Sequence, residues 1–306
     1  MRVSVLICTY TMDLYDDFED AVDSILQQTY DDVELVLVSD GDDTVYQQML
    51  ADYEDTPNVI VTRTEENVGI SAARNKGLEL ATGDIVAQID DDAVADRDWI
   101  AELVRVYEET DAVAAGGHMT PEWVAGKPNF LPEEFYWLIG VNDRWFAEPL
   151  EEVRNTYASN ISFRTEVIEE LGGFNPSVGR KGDAEIQATE SEIGTRLREE
   201  FDRGVIYNPD AKVAHKIFDY RTDPVWLAKR AFWQGYSKRG LEVLIPEANT
   251  DEETDFLQFL LLDAVPRRLK GIVSNPSIAG VSQLIWLVLL TGLVGMGYLY
   301  GIVKWR

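Results

Sequence analysis

Asp90 and Asp92 stand at alternate positions directly behind the apolar stretch 85–87, with Asp91 between them. A strand that leads from apolar residues to carboxylates delivers anionic groups to its own carboxyl end, where an open α/β sheet builds its ligand crevice. Two such carboxylates can together grip a hard divalent cation and a ribose. Upstream, Asn67-Val68-Gly69-Ile70-Ser71-Ala72-Ala73-Arg74-Asn75-Lys76-Gly77 reads as a loop feeding a helix that carries Arg74. Acids and an arginine in this arrangement suggest a site for a metal and a diphosphate. Val38-Ser39-Asp40-Gly41 closes another apolar run, and Thr9-Tyr10 follows the first; the two would form the near wall of a nucleotide site. No Gly-x-Gly-x-x-Gly follows the first run, which weakens a dinucleotide reading, and no Walker-type lysine loop is present. What remains is a nucleotide held by acids and metal.

The elements that must position these residues are legible from the alternation of apolar runs and acidic helices. Strands are expected at 3–8, 34–38, 59–62 and 84–89, with helices near 16–28, 45–53 and 71–81, then a helix over 99–109 and a strand at 112–115. This pattern predicts an α/β fold, a mainly parallel sheet with helices on both faces. After Gly116 the chain turns loop-rich and aromatic, with Trp123, Phe130, Phe135, Tyr136, Trp137, Trp145 and Phe146. Such aromatics can line a sugar or lipid site or pack the second half of the core. Further helices are expected at 166–171, closed by Gly172-Gly173, at 190–200 and at 224–238, with short strands at 205–207 and 212–215. The expected domains are 1–245, divided into a nucleotide-binding half (1–116) and an acceptor half (117–245), then an amphipathic basic approach (246–278) and a membrane helix (279–303).

The formal charge of −28 over 306 residues is unevenly spread. From Arg267 onward there are five basic and no acidic residues, so residues 1–266 hold 22 basic against 55 acidic residues, a formal −33. Such acidity can mean a cationic partner, a calcium-binding surface or adaptation to high salt, and acids scattered through every helix rather than gathered in one block favour the last. Nucleic acid is a poor partner, because counterion release needs a basic footprint. Cys8 is the only cysteine, which excludes an intrachain disulfide and a thiolate cluster and leaves it a small buried strand residue. The first apolar run is too short for a signal peptide, and Asp13 soon follows.

Residues 279–303 hold no charge across 25 positions, and about 20 apolar residues suffice to cross the hydrocarbon core. One transmembrane helix is expected there. Trp286, Tyr298, Tyr300 and Trp305 supply interfacial aromatics, while Arg267, Arg268, Lys270, Lys304 and Arg306 flank both sides. Basic flanks on both sides leave the orientation undecided by charge.

Several segments, in order, resemble the family 2 glycosyltransferases of the GT-A fold, a Rossmann-like architecture. They are Val3-Ser4-Val5-Leu6-Ile7-Cys8-Thr9-Tyr10, Val38-Ser39-Asp40-Gly41, Asn67-Val68-Gly69 with Ala73-Arg74-Asn75, Ala81-Thr82-Gly83-Asp84 and Asp90-Asp91-Asp92. Ser159-Asn160-Ile161-Ser162-Phe163-Arg164 and Leu171-Gly172-Gly173-Phe174 follow. The resemblance runs from Arg2 to about Tyr236. It implies that Asp40 binds the base or ribose of a UDP-sugar, Asp90 the ribose side, and Asp92 the Mg²⁺ or Mn²⁺ bridging the diphosphate. It places Arg74 near the phosphates or sugar, makes Thr9 and Tyr10 part of the nucleotide-sugar site, and leaves Asp91 to orient its neighbours. His215 aligns with a histidine that closes the site near metal or diphosphate, whereas His118 has no such support and reads as structural. The family's second acidic motif falls on Thr189-Glu190-Ser191-Glu192-Ile193-Gly194-Thr195-Arg196. Here Glu190 replaces the usual aspartate and Thr189 the usual glutamate. Glu190 retains the carboxylate that deprotonates an acceptor hydroxyl in an inverting reaction, with Glu192 as the second candidate base.

Acidity, a family 2 domain and a terminal span together resemble the haloarchaeal Agl-type hexuronic acid transferases of N-glycosylation. That likeness implies a UDP-sugar donor, a dolichol-phosphate-linked glycan acceptor, glycosylation of the surface-layer glycoprotein, and other pathway enzymes as partners. It also implies a single-pass protein of the cell membrane with its catalytic domain in the cytoplasm. The alternatives are a transferase for another surface polysaccharide or glycolipid, direct glycosylation of a lipid phosphate, and a non-catalytic membrane-tethered nucleotide-sugar-binding scaffold. Lys229, Arg230, Lys238 and Arg239, interleaved with Phe232, Trp233 and Tyr236, read as a phosphate grip or a solvated helix face. Arg180-Lys181 could pair with a carboxylate on the sugar, and the sequon Asn160-Ile161-Ser162 is discounted because it lies inside the expected fold.

Overall fold

Val3–Thr9 (β1) is buried at every position, as expected of a strand covered on both faces of a parallel sheet. The computed structural model describes residues 1–142, 146–178, 189–244 and 251–305; Trp145, Arg180 and Lys181 lie outside them. The chain divides into two compact units, Met1–Pro121 with Ala147–Lys216, and Glu122–Phe146 with Ile217–Arg306.

In the first unit, Tyr15–Leu26 (α1) buries Tyr15, Phe18, Ala21, Val22 and Ile25 at helical spacing and turns its acids outward. Val33–Asp40 (β2), Asp43–Tyr53 (α2), Val59–Thr64 (β3), Ile70–Leu78 (α3) and Ile85–Gln88 (β4) follow. Asp42 caps α2 by accepting from the Thr44 and Val45 amides. Next come Ala93–Ala95 (β5), Trp99–Glu109 (α4), Ala114–Trp123 (β6), Glu152–Val153 (β7), Ile161–Arg164 (β8), Thr165–Glu170 (α5), Thr189–Phe201 (α6) and Val205–Ile217 (β9). The nine-stranded sheet runs β3-β2-β1-β4-β8-β6-β9-β5, with β7 on β9. Its first four strands are parallel, whereas β8 is antiparallel to both β4 and β6, and β9 to both β5 and β7.

The parallel half follows the alternation expected from sequence, and α4 coincides with the helix expected over 99–109. The antiparallel half departs from it. The strand expected at 112–115 is part of β6, which runs on to Trp123, and the two short strands expected at 205–207 and 212–215 are one strand, β9. Gly116 and Gly117 lie within β6, where a Cβ at either would lie within about 2 Å of Thr156 Oγ1 or the Ala211 carbonyl oxygen. They mark close packing rather than a loop.

In the second unit, Asp219–Thr222 (α7), Pro224–Leu244 (α8), Asp251–Phe259 (α9), Val265–Ser274 (α10) and Ile278–Lys304 (α11) follow one another. Its core joins Leu131, Phe135, Leu138, Leu227, Leu260 and Leu287, with Trp123, Phe130 and Trp137 packed against it. These aromatics therefore build a second core. Glu134, 1% exposed, accepts from the Arg267 and Arg268 guanidiniums, so two of the basic residues expected at the membrane flank are ion-paired inside the unit. Burial would raise the Glu134 carboxyl, but Arg268 and then Arg267 hold it below its ordinary value. α11 is the one described helix long and apolar enough to cross a membrane.

Glu34 ties the amino end of the sheet together by accepting from Ser4 Oγ, the Thr82 amide and hydroxyl, and Arg2. Burial opposes its ionisation, yet these donors bring its carboxyl below the ordinary range. Its stabilisation is therefore complete above the unfolded carboxyl's pKa, about 4.3, and lost as pH falls through the lower folded value. Glu34→Ala is expected to cost about 2–4 kcal/mol by stranding the Ser4 and Thr82 donors. Glu34→Gln should flatten the acid limb of stability against pH. Denaturant titrations between pH 3 and pH 7 test both, and an unchanged acid limb would remove Glu34 as its source.

Candidate functional site

The carboxyl ends of β1, β2 and β4 lie side by side, because Thr9 of β1 is in register with Ser39 of β2, and Leu6 of β1 with Gln88 of β4. Thr9 is buried, while the next residue, Tyr10, is 57% exposed and open to a ligand. Asp40 ends β2 and is buried. Its Oδ1 accepts from Thr64 Oγ1 at 2.8 Å and the Val68 amide at 2.9 Å, and its Oδ2 from the Gly69 amide at 3.0 Å. A carboxylate offers about four acceptor positions, so Asp40 holds the loop before α3 and retains little capacity for anything else. Gly41, at φ +78°, allows the tight approach, since a Cβ there would lie 2.0 Å from the Asn67 amide nitrogen.

That loop launches α3, which brings Arg74 inward. Arg74 is buried, and its Nη2 donates to Asp90 Oδ1 at 2.7 Å. The Asp90 amide donates to Ser159 Oγ at 3.0 Å. Asp91 is half-buried with Oδ2 shielded from solvent. Burial first, and the Asp92 carboxylate second, push Asp91 up to about 7 against the lowering influence of the Thr9 hydroxyl. Asp92 is buried and leads into β5, whose Ala93 is in register with His215 of β9. His215 Nε2 lies 3.3 Å from Asp92 Oδ1.

Among the described residues no group of three or more His, Cys, Asp or Glu could by itself hold a metal ion. The Asp92–His215 pair nonetheless fits a shared cation. An octahedral sphere with bonds of about 2.1 Å places adjacent donors about 3 Å apart, and Mg²⁺ and Mn²⁺ accept carboxylate and imidazole ligands while taking the remaining positions from phosphates and water. The two residues would supply part of a coordination sphere that a diphosphate would complete.

The structure joins Asp40 to the loop before Arg74, Arg74 to Asp90, and Asp92 to His215. Glu190 and Glu192 stand in the first turn of another element, α6. Glu190 is half-buried. Glu192 is buried and engaged, accepting from Asn175 Nδ2 at 3.0 Å and Arg196 Nη2 at 2.9 Å. His118 Nδ1 lies 2.7 Å from Tyr207 Oη in a structural contact. Asn160 is fully buried, accepting from Trp99 Nε1 and donating to the Ala211 carbonyl, so its amide is inaccessible to glycosylation in the folded unit.

Two sets of residues emerge only from the structure. Asn75 exchanges hydrogen bonds with the Phe174 backbone, 2.7 Å each way, and the Arg74 guanidinium lies 6.0 Å from the Phe174 ring centroid. Arg196 Nη1 donates to the Leu171 and Gly173 carbonyls, so segment 171–175 links α3 to α6. The Leu171-Gly172-Gly173-Phe174 motif carried that signal without its partners. The second is Lys216, buried between Asp17 and Asp20 of α1, whose amide donates to the Asp92 carbonyl at 2.9 Å. These carboxylates raise the Lys216 pKa against the effect of burial. Nothing in its local sequence distinguishes it.

The profile of "Glycosyl transferase family 2" matches residues 4–172. The chain is 50% identical over 304 residues to the glucosyl-dolichyl phosphate glucuronosyltransferase of Haloferax volcanii, covering 99% of this chain and 97% of that protein. Its fold is similar to the mannosyltransferase PcManGT of Pyrobaculum calidifontis in complex with GDP-Man and Mn²⁺, with a TM-score of 0.62 at 18% identity over 100% of this chain and 88% of that one. It is also similar to residues 1–349 of S. aureus TarS in complex with UDP-GlcNAc, with a TM-score of 0.57 at 15% identity over 100% and 90% of the two chains.

Cys8 precedes Thr9 at this edge, and burial, foremost, pushes its thiol up to about 12. A thiol held protonated is a poor nucleophile. The folded protein should therefore leave Ellman's reagent unreacted at pH 8 and release one equivalent only in denaturant. Rapid reaction without denaturant would show that the end of β1 is open.

Proposed function

The chain belongs to glycosyl transferase family 2, has the GT-A fold and is a glycosyltransferase, and from that premise we propose that it moves a hexuronic acid from a UDP-sugar to a dolichol-phosphate-linked glycan. The observation that carries this reading is the 50% identity, over nearly the whole of both chains, to a glucuronosyltransferase named for glucosyl-dolichyl phosphate. The donor is accordingly UDP-glucuronic acid and the acceptor a glucosyl-dolichyl phosphate. The product is a step toward protein N-glycosylation, with the surface-layer glycoprotein as its destination.

In the proposed mechanism Thr9, Tyr10 and Asp40 form the wall that receives the nucleotide, Asp40 acting chiefly through the loop it holds. Asp90, neutralised on one oxygen by Arg74, presents its other oxygen to the ribose. Arg74 also keeps positive charge beneath the phosphates, and Asp91 orients its neighbours. Asp92 and His215 would hold Mg²⁺ or Mn²⁺, which when bound would supply positive charge against the developing charge of the leaving UDP. Glu190 accepts the proton of an acceptor hydroxyl as that oxygen bonds to the anomeric carbon. The bond from that carbon to the diphosphate oxygen breaks on the opposite face, so configuration inverts and UDP leaves with the bonding electron pair. Glu192 is the weaker candidate for the base, because Asn175 and Arg196 already occupy its oxygens. The membrane confines the lipid-linked acceptor, and a tether on the enzyme raises the effective concentration of one for the other. Nucleotide sugars are made in the cytoplasm, and the catalytic unit is placed there.

Purified enzyme with UDP-glucuronic acid, Mn²⁺ and glucosyl-dolichyl phosphate is expected to yield a lipid heavier by one hexuronic acid residue. A deletion strain should accumulate a lipid-linked glycan halted one residue short. Unchanged glycans in that strain would overturn the acceptor assignment. Glu190→Gln should lower kcat by about 10²–10⁴-fold, the range for removing a general base, while leaving UDP binding intact. UDP and Mn²⁺ together should raise the melting midpoint more than the sum of either alone, and Asp92→Asn should abolish that synergy. Synergy that survived Asp92→Asn would remove Asp92 from the metal.

A further inference from the structure

α11 has two faces. Val281, Ile285, Val288, Met296, Leu299 and Ile302 are exposed along one side. Leu287, Leu290, Gly297 and Gly301 are buried along the other. The apolar exposure also extends beyond this helix, because Leu262, Leu269 and Val273 are exposed at spacings of seven and four residues along the preceding turn and α10. An outward apolar stripe on α10, continuing after a three-residue break into a helix whose one charge is the terminal Lys304, fits a lipid surface.

The inward face of α11 is occupied by α8. A Cβ on Gly297 would lie 1.8 Å from the Phe232 carbonyl oxygen, one on Gly235 would lie 1.9 Å from that of Val294, and one on Gly240 would lie 3.1 Å from the Trp305 ring. Gly297 meets Phe232, Gly301 meets Arg239 and Gly240 meets Trp305, so over this stretch the two helices run parallel, with Phe232 level with Gly297 and Gly240 with Trp305. At about 1.5 Å per residue, Lys229 and Arg230 are therefore level with the middle of α11. Lys229 is exposed there. Further along, Glu242 accepts from Tyr298 Oη at 2.9 Å and pairs with Arg239. At the other end Gln283 accepts from Arg268 and donates to the Asn129 carbonyl. A helix crossing the bilayer with these neighbours would carry Lys229 and Arg230 to the hydrocarbon centre, among the least favourable positions for a charge.

We propose that α11 lies in the plane of the membrane, its outer face and the outer stripe of α10 sunk into the acyl boundary of one leaflet, and that it does not cross. The charges of α8 then stay on the aqueous side of the same surface, as in helices that rest at the headgroup level. This inference rests on the membrane attachment proposed above and replaces its single-pass form. Among the described residues it accounts for both the apolar outer face and the charged inner partners of α11.

The test uses the full chain with an epitope tag before Met1 or after Arg306, in sealed vesicles of both orientations. Protease that cannot enter the vesicles is expected to remove both tags in the same orientation and neither in the other. Removal of the two tags in opposite orientations would overturn in-plane attachment while leaving the membrane reading intact. Recovery of the protein in the soluble fraction would overturn both. Hexuronic acid transfer measured on the same preparations reports on the proposed reaction separately.

Discussion

Three consecutive carboxylates at the end of a buried strand repel one another, and the surrounding structure is arranged to contain that charge. Asp90 is answered by the buried Arg74 guanidinium. Asp92 lies against His215. Asp91, with no comparable partner, is pushed up to about 7 by burial and by Asp92. Arg74 can occupy its position only because α3 starts where Asp40 fixes the Val68 and Gly69 amides. Asn75 then locks α3 to the Phe174 backbone. The cluster remains anionic after these pairings, and a divalent cation is the natural complement to a donor diphosphate brought against it.

The net charge of −28 makes most of the surface acidic, and surface pairs are largely screened by salt. The pairs that organise the units are therefore the shielded ones. Glu34 gathers donors from β1 and the turn before β4. Lys216 fastens α1 to the end of β9 through Asp17 and Asp20. Glu134 fastens α10 to the turn at Glu133–Ile139 through Arg267 and Arg268. In each case one partner, Glu34, Lys216 or Glu134, is buried, which reduces competition from water and ions relative to fully exposed pairs. Acidity thus belongs to the solvated faces, while the wiring depends on a small number of buried ions.

Local periodicity made the parallel half of the sheet legible. β1, β2 and β3 are apolar runs, and α1 and α4 bury one face at helical spacing, so each announces itself without its neighbours. β6 and β9 do not. They contain Gly116, Gly117 and Pro209, which read as loop signals, and what makes them strands is pairing with β8, β5 and β7 far away in sequence. The site divides in the same way. Asp90, Asp92 and Arg74 are visible as residue types at strand and helix ends, whereas the Arg196 bridge to Leu171 and Gly173 and the Lys216 anchor exist only through tertiary contacts. Asp40 was legible as a site acid, but its engagement with loop 67–69 was not, because the acceptor capacity of a carboxylate is set by the donors around it.

Composition measures how apolar a helix is, but the partners of that helix determine where it can sit. The 27 residues of α11 meet the length and hydropathy of a span. The basic residues nearby would ordinarily be read as its cytoplasmic flank. Arg267 and Arg268, however, are committed to Glu134, and Arg239 to Glu242, so they act as internal struts and contribute little to orientation. A lone span has no polar company at its centre, whereas α11 runs parallel to a helix with charges at Lys229, Arg230, Lys238 and Arg239. The cost of carrying that company into hydrocarbon falls on the pair, because the close glycine contacts leave no room for lipid between the helices. Apolarity along one face and charge along the neighbour are what a surface-seated helix requires.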